Sequence, residues 1–170
     1  MRSRGANRQN RPKKDGPGKK LEDIQTFFLA CEYRPGASFW TVVEPFAYDI
    51  TPAFIHGNLG IISYGPNYYA VLEEGADFDP LMGYLMTITA PDMIKLLDRM
   101  KGFLGENAFN CHVRRLVHAY TDVDKVQDAW AYVLAPSVLQ CYQSVETVEY
   151  GMFKEDEKQS ELLEKVLGVE

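Results

Sequence analysis

The segment LMGYLMTITAPDMIKLLDRM, residues 81–100, carries the two patterns that decide the fold class. Its first half, Leu81–Ile88, contains β-branched and aromatic residues and predicts a strand. Gly83 inside this strand indicates a place where another backbone approaches closely. Its second half predicts a helix, because apolar residues recur at helical spacing over residues 93–100.

The ends of this helix also carry recognisable signals. Thr89 is the predicted N-cap, Pro91 lies in the first turn, and Gly102 ends the helix. Outward from this unit, short apolar runs bounded by turn residues predict further strands. They cover residues 23–33, 53–59, 61–64, 67–72, 112–120 and 128–134. We expect a long aromatic-rich connection (Phe39, Trp40, Phe46 and Tyr48) after the first strand, and a C-terminal helix over Glu155–Leu167. This order predicts an α+β fold with a curled antiparallel or mixed sheet.

Composition limits the class of protein. The chain has 170 residues, 46% of them hydrophobic, which is enough for one domain with a sizeable core and excludes a wholly disordered or collagen-like chain. No apolar run reaches the roughly 18 residues that a membrane-spanning helix needs, and we expect no membrane partner. Three cysteines are too few for a disulfide framework, so the predicted location is a reducing, cytoplasmic one.

The net charge of −6 conceals two opposite segments. Residues 1–20, which we call the basic arm, carry a net charge of +7, and residues 21–170 carry −13. The cations of the arm are Arg2, Arg4, Arg8, Arg11, Lys13, Lys14, Lys19 and Lys20. With almost no apolar residues, the arm is expected to be disordered on its own. It predicts binding to nucleic acid or another anionic surface; a solvated tail that folds back on the acidic domain stays open as the alternative.

A series of motifs resembles the gamma-glutamylcyclotransferase-like (AIG2-like) family. They are FLACEYRPG (28–36), IHGNL (55–59), YYAV (68–71), LMGYLMTI (81–88), LDRMKGF (97–103), HVRRLV (112–117) and AWAYV (129–133). The resemblance implies a small closed mixed β-barrel with one central helix and a C-terminal helix. The implied division is an arm at 1–20, the gamma-glutamylcyclotransferase-like domain at 21–153, and an acidic helix packed on it at 154–170.

The resemblance also indicates where the chain departs from active members. Their base is the glutamate of L-D-x-x-E-G, and here that position holds Lys101. An ammonium with an ordinary pKa of about 10.4 would repel the ammonium of a gamma-glutamyl substrate. The Y-G-T substrate loop is replaced by Ala30-Cys31-Glu32, and His112 replaces the tyrosine of Y-x-R. The resulting degenerate pocket comprises Leu29, Ala30, Cys31, Glu32, Tyr33, Lys101, His112 and Arg114.

The same region of the sequence suggests two other kinds of site. Cys31, Glu32, Lys101 and His112, expected around one cavity mouth, could form a new active site, but no triad spacing supports it. Cys31, Cys111, His112 and His118 lack the paired spacing of a metal site, so no metal or cofactor is predicted.

Two function classes remain. The first is a pseudoenzyme: a non-catalytic interaction or structural module whose arm binds nucleic acid or a nucleoprotein assembly, with room for a small-molecule ligand in the degenerate pocket. The alternative is a divergent gamma-glutamyl(amine) cyclotransferase acting on a small gamma-glutamyl or related substrate. The arm and the lost base favour the first, and no residue is assigned a catalytic role.

Overall fold

The structure is a computed structural model that describes residues 24–30, 40–63, 67–141, 145–151 and 156–168. The elements are β1 Thr26–Leu29, α1 Trp40–Val43, β2 Ala47–Ser63, β3 Asn67–Glu74, β4 Pro80–Ile88, α2 Pro91–Met100, β5 His112–Asp122, β6 Lys125–Leu134, α3 Pro136–Leu139, β7 Glu146–Val148 and α4 Glu157–Leu167, with short 3₁₀ turns at Glu44–Phe46 and Glu149–Gly151. No helix among these residues is long and apolar enough to cross a lipid bilayer.

Five strands close into a barrel in the order β2-β4-β1-β6-β5 and back to β2. The β1–β6 pairing is parallel and the others are antiparallel, so the barrel is mixed. The closing β2–β5 pairing joins Phe54 to Tyr120. β3 and β7 flank the second half of β2, outside the barrel. The predicted closed mixed barrel of an α+β fold is confirmed.

Strand alternation separates an inner from an outer core. On β6, Ala129, Ala131 and Val133 belong to an inner cluster with Phe28 and Leu85. The intervening Tyr132 belongs instead to an outer cluster, where Met93 and Leu97 of α2 cover the barrel wall. Because the wall is covered on both faces here, β1 and β4 are buried almost along their whole length.

β2 is longer than the sequence indicated. Two strands were expected, separated at Gly57 and Gly60, but the structure has one strand of 17 residues. Both glycines continue the ladder, where a β-carbon at Gly57 would lie 2.8 Å from the carbonyl oxygen of Glu73 on β3. They allow close packing and do not break the strand. The expected aromatic connection is likewise shorter, because Trp40 starts α1 and Tyr48 already lies in β2.

The helix ends follow the sequence with one correction. The N-cap of α2 is Ala90, not Thr89, and it makes no side-chain cap hydrogen bond. Gly102 lies just after the helix at φ +65°, and a β-carbon there would lie 2.9 Å from that of Cys111. α4 begins behind Asp156, whose carboxylate accepts from the Gln159 amide at 3.2 Å and from the Tyr84 hydroxyl at 2.7 Å.

Gly83 provides a direct test of the inner packing. A β-carbon at this position would lie 2.5 Å from Cζ of Phe28 and 2.8 Å from the carbonyl oxygen of Leu29. We expect Gly83→Ala to lower the free energy of unfolding by about 1–3 kcal/mol, because β1 must shift to relieve both contacts.

The measurement is urea unfolding of Gly83→Ala, Phe28→Leu and the double variant. Phe28→Leu removes the ring tip, so the cost of Gly83→Ala should be smaller in its presence. Equal costs in both backgrounds would contradict the predicted contact.

Candidate functional site

A small pocket of about 20 Å³ opens at the end of the barrel where β1 ends. Its described lining residues are Phe28, Leu29, Ala30, Leu59, Tyr69, Val71, Lys101 and Tyr132. Three of the residues expected from the sequence, Leu29, Ala30 and Lys101, therefore meet at one site. Cys31, Glu32 and Tyr33 lie outside the described residues, as does the whole basic arm.

Strand direction explains why distant residues meet here. β1 and β6 run parallel, so their carboxyl ends lie at the same end of the barrel. β5 is antiparallel to β6 and begins there, with His112 paired to Leu134. α2 ends at the same place, because the Lys101 carbonyl accepts a hydrogen bond from Nδ1 of His112 at 2.9 Å.

His112 contributes to the site in a different way from that expected. It is 6% exposed and is not among the pocket-lining residues, because its ring turns beneath the carboxyl end of α2. Within the described residues, Nε2 is buried without a hydrogen-bond partner. Burial, with a smaller contribution from the Lys101 ammonium, lowers the pKa of His112 to about 4. The imidazole is therefore neutral at pH 7 and does not supply a charge to the pocket.

Lys101 is a lysine in the described lining of the pocket. The other described lining residues are apolar or tyrosine, and none carries a carboxylate. A carboxylate is the usual base for taking a proton from an ammonium, and none lies among the described lining residues. The described lining therefore combines a lysine with apolar and tyrosine side chains and offers no carboxylate.

Arg114 also lies away from the pocket. Its guanidinium stacks on the rings of Phe103 and Trp130, at 5.3 and 5.0 Å from their centroids. It donates to the Asp98 carboxylate at 3.3 Å, and the Tyr132 hydroxyl donates to the same carboxylate at 2.6 Å. This network connects α2 to β5 and β6, so Arg114 positions the helix.

The network also fixes the chemistry of Tyr132, which lines the pocket. Burial, reinforced by the hydrogen bond and charge of Asp98, raises the pKa of the Tyr132 phenol. Its proton is held by Asp98, so the phenol is not available as a base. The Tyr132 hydroxyl therefore links the pocket wall to α2 through Asp98.

A second cavity of about 80 Å³ was not predicted from the sequence. It lies beside the β2–β5 seam, the junction that closes the barrel at Phe54 and Tyr120. Its lining includes His56, Glu74, His118 and Tyr120. Nδ1 of His56 donates to the Phe78 carbonyl at 2.9 Å. These residues come from three strands, β2, β3 and β5, and no local sequence pattern connects the three. The described residues contain no group of three or more His, Cys, Asp or Glu side chains arranged to hold a metal ion.

The low pKa of His112 makes stability depend on pH. The unfolded chain binds a proton at this imidazole below pH 6.5, whereas the folded chain does so only below about pH 4. Folding stability due to this group is therefore complete above pH 6.5 and falls as the pH decreases towards 4. We expect a loss of about 2–3 kcal/mol between pH 7 and pH 4.5, measured by urea unfolding.

His112→Asn should remove this part of the pH dependence, since an amide can donate to the Lys101 carbonyl without titrating. His118→Asn is the matched control, because His118 is largely exposed. If His112→Asn and wild type lose equal stability over this range, the assigned burial effect is wrong.

Comparisons with known proteins support the fold. No protein-family model matches the sequence, and no curated protein matches it either. Structural similarity is found to YkqA from Bacillus subtilis, with a TM-score of 0.54, 17% identity and coverage of 81% of this chain and 42% of YkqA. An AIG2-like protein from Mus musculus has a TM-score of 0.53 and 12% identity, over 68% of this chain and 82% of that protein.

Allophanate hydrolase from Kluyveromyces lactis is also similar, with a TM-score of 0.51 and 11% identity, over 82% of this chain and 22% of the hydrolase. This chain thus spans less than half of YkqA and of the hydrolase. At these identities the similarity concerns the fold. The chain has the gamma-glutamylcyclotransferase-like fold.

Proposed function

We propose that this protein is a non-catalytic interaction module built on a gamma-glutamylcyclotransferase-like barrel, with its basic arm binding an anionic partner such as nucleic acid or a nucleoprotein assembly. The observation that carries the proposal is Lys101 in the wall of the barrel-end pocket. The resemblance puts the family's glutamate base at this position. A gamma-glutamyl substrate would bring its own ammonium to a site that has a lysine, and no carboxylate among the described lining residues, where the family has its base.

The surrounding groups support the loss of the ancestral reaction. Tyr132 is hydrogen-bonded to Asp98, and His112 is buried with its Nδ1 proton given to the Lys101 carbonyl. The Tyr132 phenol donates its proton to Asp98, and His112 is not among the described lining residues, so neither is placed to take over the role of the missing base. These interactions stabilise the junction of α2 with the barrel, so the scaffold is kept while the pocket has changed.

The charge distribution supports the role of the arm. Eight cations lie within residues 1–20, whereas the remaining chain carries a net charge of −13. An acidic body resists close approach to phosphate, so binding to a polyanion would depend on the arm. The acidic body also limits nonspecific contacts beyond the arm, which suits a tethering role.

We expect the purified protein to release no 5-oxoproline from gamma-glutamyl amino acids or gamma-glutamylamines above the buffer blank. Chromatographic detection of 5-oxoproline provides the measurement. Lys101→Glu alone should not restore turnover, because Ala30-Cys31-Glu32 still differs from the Y-G-T loop. Turnover by the wild-type protein would establish the enzymatic alternative and disprove the proposal.

Binding of the arm to a polyanion is tested by titrating the full chain with 20-nucleotide RNA, single-stranded DNA and duplex DNA over a range of salt concentrations. If most of the eight cations contact phosphates, log affinity should fall with log salt with a slope of about −5 to −7. Deleting residues 1–20 should abolish binding while changing Tm by only a few degrees, because the arm adds almost no apolar burial.

A matched control replaces all eight cations by Gln and so keeps the length of the arm. It should bind as poorly as the deletion. The proposed role of the arm would be contradicted by binding that does not depend on salt. It would also be contradicted if the deletion or the Gln variant bound as tightly as the wild type. A large loss of Tm on deletion would favour an arm folded against its own acidic domain.

A further inference from the structure

The 80 Å³ cavity lies where β2 changes its neighbour. β2 pairs with β5 at Phe54 and with β3 from Gly57 onward, so His56 lies between its two partners. Extending the antiparallel β2–β5 register by two residues places His56 opposite His118. In the described strands the pairing does not continue that far, and the cavity lies between the two side chains. We call this space the junction cavity, and its polar lining consists of His56, Glu74, His118 and Tyr120.

Each imidazole of the junction cavity has one nitrogen bonded to a group that can only accept. Nδ1 of His56 lies 2.9 Å from the Phe78 carbonyl oxygen, and Nδ1 of His118 lies 2.9 Å from the Asp128 carboxylate. Neither a carbonyl nor an ionised carboxylate has a proton to give, so Nδ1 carries the proton in both rings. In the neutral form of each ring, Nε2 therefore has a lone pair and accepts hydrogen bonds.

Glu74 adds a negative charge to these acceptors. The Arg115 guanidinium lies 3.9 Å from its carboxylate, which is longer than a hydrogen bond, and the Arg115 side chain is 47% exposed. Residues 73–80 carry four carboxylates and no lysine or arginine. This segment is held against β2, since the Gly75 amide donates to the His56 carbonyl at 3.0 Å. The described lining of the cavity contains no lysine or arginine either, so it favours a positively charged ligand.

Aromatic rings lie beside the acceptors. The Tyr120 ring stacks on Phe54 with centroids 5.0 Å apart, and the His56 ring meets it nearly at a right angle at 5.7 Å. Cations pack favourably on aromatic rings, and the planar guanidinium does so especially well. The cavity volume of about 80 Å³ is roughly half that of a cavity that holds benzene, so it suits a group of about four non-hydrogen atoms.

The arrangement of the acceptors distinguishes between kinds of cation. All of them belong to described residues, and they are not arranged to hold a metal ion. They come from three strands around one space, which suits a ligand with several N–H donors that point in different directions. A guanidinium has five such donors in one plane, a positive charge and a face that stacks on aromatic rings.

We propose that the junction cavity binds a guanidinium group, with Glu74 and the Nε2 atoms of His56 and His118 as acceptors and the Tyr120 ring beside it. This inference does not rest on the proposed function, since neither the barrel-end pocket nor polyanion binding enters it. The guanidinium has two possible sources: a free alkylguanidine, or one of the four arginines of the basic arm.

NMR on the full chain tests the site directly. The chain has only three histidines, so long-range proton–nitrogen correlation can resolve every imidazole nitrogen. The probe is methylguanidinium chloride, at about pH 8, above the ordinary pKa of an imidazole. We expect the Nε2 signals of His56 and His118 to shift with a Kd of about 1–10 mM, which suits a ligand of this size. The His112 signals should not move, because that ring is buried elsewhere. Tetramethylammonium, which has no N–H donor, should bind at least fivefold more weakly.

Two variants test the role of the carboxylate. Glu74→Gln keeps the size of the side chain and removes its charge, so it should weaken methylguanidinium binding at least fivefold. Glu73→Gln is the matched control, because it removes the same charge one residue away, from an exposed side chain outside the cavity lining. It should change the Kd less than twofold. Thermal unfolding shows whether both variants are folded.

A full-length variant with Arg2, Arg4, Arg8 and Arg11 replaced by Gln distinguishes the two sources. If an arm arginine occupies the cavity, this variant should bind methylguanidinium more tightly than the wild type, and its His56 signals should differ before the probe is added. If the occupant is a free molecule, the two proteins should bind equally. The proposal would be overturned by absence of a shift in both proteins, by equal binding of tetramethylammonium, or by equal losses in Glu73→Gln and Glu74→Gln.

Discussion

The position of β1 between β4 and β6 governs the geometry of the site. β1 has only four residues, yet it is paired on both edges, and the Trp130 indole donates to the Ile24 carbonyl at 2.9 Å just before it begins. Gly83 lets the Phe28 ring lie across β4. Since β1 is parallel to β6, it delivers Leu29 and Ala30 to the end of the barrel where α2 stops. Without this strand the pocket would lose the part of its lining formed by Phe28, Leu29 and Ala30, next to Lys101.

Much of the fold could be predicted because its signals are local. The β4–α2 unit and the β5–β6 hairpin each follow from a continuous pattern of a few residues, and both are present. β7 and α3 were not predicted, since they have three and four residues and are defined by contacts distant in sequence. β2 was divided wrongly because Gly57 and Gly60 are usual signals of a break. Their actual role depends on the neighbouring strand, which no local pattern reveals.

The sequence could name residues near the pocket, but it could not show which side chains line it and which contact α2 instead. Lys101 was identified at the pocket, and the structure brings it there with Leu29 and Ala30. His112 and Arg114 were assigned to the same pocket, but both are on the outer face of β5, where they contact α2. Alternation along a strand decides which face a residue occupies, so a shift of one position changes its role. Asp98 joins Tyr132 and Arg114 through a register that the sequence could not supply.

The barrel should open more easily at the seam between β2 and β5 than between its other neighbouring strands. In the described residues it consists of one register pair, Phe54 with Tyr120, whose rings stack at 5.0 Å, whereas β5 and β6 pair over most of their length. Local unfolding starts where the fewest contacts and hydrogen bonds stabilise the structure. Amide protons of β5 and β2 next to the Phe54–Tyr120 pair should therefore exchange with solvent through seam opening well before the barrel unfolds globally. Water would then enter the barrel interior through the 80 Å³ cavity beside the seam. The β1–β4 pairing on the other side would stay closed.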